Sequence, residues 1–226
     1  MKKVFSFVLF SMLIASLCAQ DWAQLSRYRE ENEKLGALVS HEKRIVFMGN
    51  SITEFWSEHY PEFFAGKPYI NRGISGQTTP QMLVRFRQDV IDLKPFAVVI
   101  LAGTNDIAGN TGPATLPEIA GNIFSMAELA RTHGIEVLIC SVLPAADYPW
   151  RPGLEPAGKI SKLNEMLKDY ALKNQFNWVD FYSVMNDGSG GLKPEYTYDG
   201  VHPNRKGYEV MSDIVEKSLQ KLLKND

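Results

Sequence analysis

Runs of apolar residues alternate along the chain with segments whose apolar positions recur at helical spacing. Ile45-Val46-Phe47-Met48 is too short for a helix and ends at Gly49, so it predicts a buried strand. A second short strand is predicted over 67–71. A third spans 96–102 and a fourth 135–142, both continuous apolar runs of the kind buried on two faces, and a fifth lies near 176–179. Between them fall amphipathic stretches. Residues 79–93 place Met82, Leu83, Phe86, Val90 and Ile91 on one side and stop at Pro95. A longer helix carries Leu116, Ile119, Ile123, Phe124, Ala127 and Ala130 and closes at Gly134. Two more follow, one with Ile160, Leu163, Leu167 and Tyr170, and a final one with Tyr208, Met211, Val215, Leu219 and Leu222. Before the first strand, Trp22, Leu25, Tyr28, Leu35 and Val39 predict a lead-in helix over 21–39.

Strand and helix alternate throughout. That order predicts an α/β domain of three layers, a five-stranded parallel sheet with helices on both faces. No repeat or linker divides it. In such a sheet the strand-to-helix loops emerge on one edge, where ligands bind. The polar, glycine-containing segments obey this rule. Ser51 follows strand one, Gly73 strand two and Asn105 strand three, and Asp199 and His202 lie in the loop after strand five.

The first nineteen residues stand apart. Lys2 and Lys3 precede an apolar run over 4–17, with small residues near Cys18 and Ala19, the pattern of a secretory signal rather than a membrane span. Cleavage there leaves residues 20–226 as the domain and predicts export to the periplasm or exterior, without stable membrane insertion. Leu17 before Cys18 is bulky for a lipid-attachment site, which favours simple cleavage over a lipoprotein. Cys140 is then the only thiol, so no intramolecular disulfide is available and stability must come from the core.

The 45% apolar and 22% charged content is that of a globular protein. Without Lys2 and Lys3, 22 basic side chains face 26 acidic ones with no basic stripe, which argues against nucleic acid as a partner. No Cys/His/carboxylate cluster has metal-ligand spacing, and neither Gly73-Ile74-Ser75-Gly76 nor Gly109-Asn110-Thr111-Gly112 fits a dinucleotide or phosphate-binding loop. Neither a metal nor a cofactor is expected.

Two stretches carry the chemistry. Gly49-Asn50-Ser51 sets a serine at a strand-to-helix junction, a position equally suited to a helix cap or a nucleophile. In Asp199-Gly200-Val201-His202-Pro203, the proline suits the first residue of the last helix, and Asp199 lies near enough to accept the His202 Nδ1 proton. His41, His59 and His133 lie in less suitable places. If His202 reaches Ser51, the three form an acyl-transfer triad. The Ser51 N–H, the Gly73 N–H unshielded by any Cβ and the Asn105 amide are candidate donors to a developing oxyanion. Trp56, Tyr148, Trp150 and Tyr198 are candidates to line a sugar or acyl subsite, although packing is the commoner role for such rings.

Gly49-Asn50-Ser51, Asn71-Arg72-Gly73, Gly103-Thr104-Asn105-Asp106 and Asp199-Gly200-Val201-His202-Pro203 together resemble the ordered blocks of the SGNH hydrolases, or GDSL-type esterases and lipases, over residues 45–210. The resemblance implies a flavodoxin-like sheet of order 2-1-3-4-5, Ser51 as nucleophile, Gly73 and Asn105 as oxyanion donors, and Asp199 with His202 completing the triad. Asn50 departs from the family's usual Asp, at a position outside the catalytic groups, and the general look is closer to the platelet-activating-factor acetylhydrolase-like branch. Three functions remain open from sequence. One is a short-chain, acetyl-preferring esterase acting on a carbohydrate or other small ester. Another is a longer-chain lipase or thioesterase, and the last is a non-catalytic carbohydrate-binding protein on the same scaffold.

Overall fold

The computed structural model describes residues 21–35 and 43–224. The segment 1–19, expected to be a secretory signal, and Val39 lie outside them. Five parallel strands, β1 (Ile45–Gly49), β2 (Tyr69–Gly73), β3 (Ala97–Leu101), β4 (Glu136–Cys140) and β5 (Asn177–Val179), form one sheet in the order β2-β1-β3-β4-β5. This is the order that the resemblance implied.

The helices among the described residues are α1 (Arg29–Leu35), α2 (Ser51–Glu54), α3 (Trp56–His59), α4 (Thr79–Asp89), α5 (Thr104–Ile107), α6 (Leu116–Thr132), α7 (Ala157–Lys173), α8 (Tyr182–Met185) and α9 (Arg205–Lys224). Side chains of the central strands alternate between two cores. Val46, Met48, Val98 and Ile100 pack with Met82 and Phe86 of α4, Ile123 of α6 and Leu163 of α7. Ile45, Phe47, Val99 and Leu101 pack on the other face with Ile52, Trp56 and, from α9, Tyr208, Met211 and Val215. Because both faces are covered, β1 and β3 are apolar at nearly every position, so sequence shows a run rather than an alternation.

Among the boundaries that differ from those predicted, three bear on the site and its surroundings. The lead-in segment is helical only from Arg29, because the Asp21 carboxylate accepts the Leu25 and Ser26 N–H groups at 2.7 and 2.8 Å and winds the preceding residues into turns. β2 runs two residues further than expected, to Gly73, which pairs in register with Gly49 of β1. The last helix starts at Arg205 rather than Pro203. Pro203 instead forms a bridge with Thr197, and the Thr197 hydroxyl donates to the His202 carbonyl at 2.7 Å, so a small closed loop rather than a helix entrance fixes His202.

Candidate active site

β1 delivers Ser51 at its carboxyl end. Gly49 is required there because a Cβ would stand 1.9 Å from the Thr53 hydroxyl and 2.9 Å from the Leu101 carbonyl oxygen. The Asn50 side chain then caps α2 by accepting the Ile52 N–H at 3.1 Å, leaving Ser51 as the first residue of that helix. Asn50 therefore serves as a cap, a role an Asp fills equally well.

The Ser51 Oγ lies 3.0 Å from Nε2 of His202, and Nδ1 of the same ring lies 2.6 Å from Oδ2 of Asp199. The other Asp199 oxygen accepts the His202 and Val201 N–H groups at 2.7 and 2.9 Å. Burial pushes the Asp199 carboxyl up, but the hydrogen bonds from the His202 ring and these two N–H groups outweigh it and hold the group below its ordinary value. The imidazole is thus oriented by an ionised carboxylate, with its second nitrogen within bonding reach of the hydroxyl.

Asn105, in α5 and 3% exposed, donates from its amide to the Gln77 carbonyl at 3.0 Å. It faces the same cleft as Ser51, Gly76 and His202, a space of about 270 Å³ whose apolar wall includes Phe55 and Trp150. A larger groove of about 580 Å³ runs between Trp22 and Pro113 and meets none of Ser51, Asn105 or His202.

Gly73 is not at the cleft. Its N–H donates to the Asn71 side chain at 2.8 Å, its carbonyl accepts the Tyr28 hydroxyl, and a Cβ would meet the Glu54 backbone nitrogen at 2.1 Å. The glycine is there to let β2 lie against α2, not to expose an amide. Gly76, three residues later, takes a left-handed φ of 77° and lines the cleft, and among the described residues no acceptor takes its N–H. The sequence contains the signal, a second glycine in Gly73-Ile74-Ser75-Gly76. A strand ending at residue 71 hides it, because Gly73 then falls in the loop and stands in for Gly76.

The candidate aromatic residues divide. Trp56 is 1% exposed, stacked on Phe63, and donates its indole N–H to Ser212 at 3.0 Å, so it is core and presents no face to a ligand. Tyr148 is fully buried and supports Trp150 from beneath, ring centroids 5.1 Å apart. Trp150 and Tyr198 are exposed and lie 5.9 and 6.1 Å from the His202 ring, with Phe55 on a further side at 5.6 Å. Phe55 carries no such signal in sequence, since an aromatic residue in a helical stretch reads as core.

Cys140 is buried, and burial pushes its thiol up, away from reactivity. Among the described residues no group of three His, Cys, Asp or Glu side chains is placed to hold a metal ion, and no helix is long and apolar enough to cross a membrane.

A candidate acylhydrolase from Bacteroides fragilis, known as a crystal structure, is 50% identical, covers 90% of this chain and 99% of its own, and superposes with a TM-score of 0.88. A Streptococcus pneumonia structure presented as a candidate platelet activating factor is 28% identical, with 88% of this chain and 90% of that one covered and a TM-score of 0.70. Esterase TesA of Pseudomonas aeruginosa is 29% identical over 68% of this chain and 70% of its own length. An acetylxylan esterase of Xylanibacter ruminicola is 26% identical over 78% of this chain, which spans 43% of that protein. The model of the GDSL-like lipase/acylhydrolase family matches residues 47–210, and the chain belongs to that family.

Proposed function

We propose that the protein is an exported serine esterase that removes short acyl groups, acetyl above all, from carbohydrate or another small ester. The observation that carries this reading is the continuous contact from Ser51 Oγ through the His202 ring to Asp199. Ser51 attacks the ester carbonyl carbon as its proton passes to His202 Nε2, and Asp199 stabilises the imidazolium so formed. The carbonyl oxygen becomes an oxyanion that accepts from the Ser51 N–H, the Gly76 N–H and the Asn105 amide. Collapse breaks the bond to the alcohol oxygen, which takes the proton from His202. Water, deprotonated by the same ring, then attacks the acyl-serine, releasing the carboxylic acid and restoring the hydroxyl.

The open cleft of about 270 Å³ supports a short acyl group over a long chain. The exposed Trp150 and Tyr198 rings offer faces on which a pyranose can stack, and the acetylxylan esterase relative supports a sugar as the acyl acceptor. The Streptococcus pneumonia neighbour supports placement in the platelet-activating-factor acetylhydrolase-like branch. Export rests on the signal-like residues 1–19. A p-nitrophenyl ester series from acetate to decanoate, run beside acetylated xylo-oligosaccharides, tests the substrate class. Highest kcat/KM on acetyl esters, with Trp150→Ala raising KM for the oligosaccharide but not for p-nitrophenyl acetate, is the expected result. A preference for decanoate would overturn it.

A further inference from the structure

A buried guanidinium ties the ends of β1 and β2 to the segment that carries Gly76, and through Gln77 to Asn105. Arg85, in the middle of α4, is 0% exposed. Its Nη2 donates to the Gly49 carbonyl at 3.0 Å and to the Arg72 carbonyl at 2.8 Å, joining the carboxyl ends of β1 and β2. Gly49 is two residues before Ser51, and Arg72 is four before Gly76. Its Nε donates to the Gln77 side chain at 2.6 Å, and the Gln77 backbone carbonyl accepts the Asn105 amide. Nη1 completes the set on Asp89 at 3.0 Å, where the other carboxylate oxygen accepts from Asn32 at 2.8 Å.

An ion pair serving only stability would need Asp89 alone, and such pairs often contribute little net stability. Here the planar fork spends its remaining donors on the segments that carry Ser51 and Gly76, reaching Asn105 through Gln77, and no other side chain type presents donors in that fixed geometry. We infer that Arg85 is a positioning residue for the oxyanion site, setting the mutual placement of the Ser51, Gly76 and Asn105 donors without touching substrate. This rests on the oxyanion assignment proposed above. Because the donors act only on charge that develops in the transition state, misplacing them affects kcat and leaves ground-state binding largely intact.

Arg85→Lys keeps the charge opposite Asp89 but collapses the fork to one nitrogen. Its kcat on p-nitrophenyl acetate is expected to fall by roughly 10²-fold, with KM within about threefold of wild type. Gln77→Met cuts the Arg85 link toward Asn105, together with the Gln77 Nε2 bond to the Ala23 carbonyl at 2.8 Å, and is expected to lower kcat by about tenfold. Val90→Ala, a truncation at the end of the same helix, should lower the melting temperature while keeping wild-type kcat, so instability alone is controlled. In an Asn105→Ala background, Arg85→Lys should cost less than it does alone, because one of the three donors that it places is already gone. Wild-type kcat in Arg85→Lys beside an impaired Asn105→Ala would overturn the inference alone, as would losses that multiply fully in the double variant. If Arg85→Lys does not fold, wild-type kcat in Gln77→Met overturns the inference in its place. Wild-type kcat in Asn105→Ala would overturn the oxyanion assignment itself, and the inference with it.

Discussion

The Ser51 hydroxyl oxygen lies 3.0 Å from Nε2 of His202, across 151 positions of sequence. The contact exists because β1 ends at Gly49 and the Thr197–Pro203 bridge closes a loop that holds His202 over the same sheet edge.

Asp199 fixes which ring nitrogen carries the proton. Asp199→Asn keeps an oxygen for the His202 and Val201 N–H groups but presents an amide to Nδ1, favouring the tautomer in which Nε2 bears the hydrogen. The kcat should fall by roughly 10³- to 10⁴-fold with the circular dichroism spectrum unchanged. Steady-state kinetics above pH ~6 checks this, and a variant retaining about a tenth of the activity would contradict the role. Because the Asp199 carboxyl is held below its ordinary value, it stays ionised into the acid range and does not itself limit activity near neutral pH.

The two glycines of Gly73-Ile74-Ser75-Gly76, one ending β2 and one in the loop after it, should respond differently. In Gly73→Ala the new methyl meets the Glu54 nitrogen at 2.1 Å, so α2 or β2 must shift, costing about 1–3 kcal/mol of stability. In Gly76→Ala the methyl has no atom within 4 Å, and the cost is the left-handed φ, about 1 kcal/mol. Gly76→Ala should nevertheless lose more kcat per unit of stability lost, because its amide lines the cleft. Urea unfolding and kinetics on both variants check this, and equal kcat losses at equal stability would contradict it.

Asp106 should make stability pH-dependent. Burial raises its carboxyl from 3.8 to about 6, against the hydrogen bonds that it accepts from the Thr79 hydroxyl and N–H at the start of α4. The native state therefore binds this proton more tightly than the unfolded chain does. The contribution is fully present below pH ~4 and is lost as pH rises through about 6, at most ~3 kcal/mol. Denaturant titrations at about pH 4 and about pH 7 should show the wild type losing stability relative to Asp106→Asn over that interval. Parallel curves for the two proteins would refute it.

Much of this is legible in the sequence because the signals are local. The parallel sheet follows from apolar runs separated by amphipathic stretches, and Ser51, Asn105, Asp199 and His202 each sit where a strand ends or a loop turns. What escapes depends on register and on packing between distant segments. Gly73 and Gly76 are alike in sequence, and only the pairing of Gly49 with Gly73 shows that the first is still in the ladder. Trp56 and Trp150 both follow the carboxyl ends of strands in sequence, yet one is filled in by Phe63 and Tyr208 and the other is left open. Arg85 reads as one more polar residue of α4, since nothing in the 79–89 stretch reveals that its partners come from β1, β2 and Gln77.

The nucleophile is tested most directly by covalent capture. Wild-type protein treated with a fluorophosphonate and digested should carry one adduct, on the peptide containing Ser51, formed at a rate that His202→Ala reduces by orders of magnitude. An active enzyme that is labelled at another residue, or that a Ser51→Ala variant matches in turnover, would contradict the assignment.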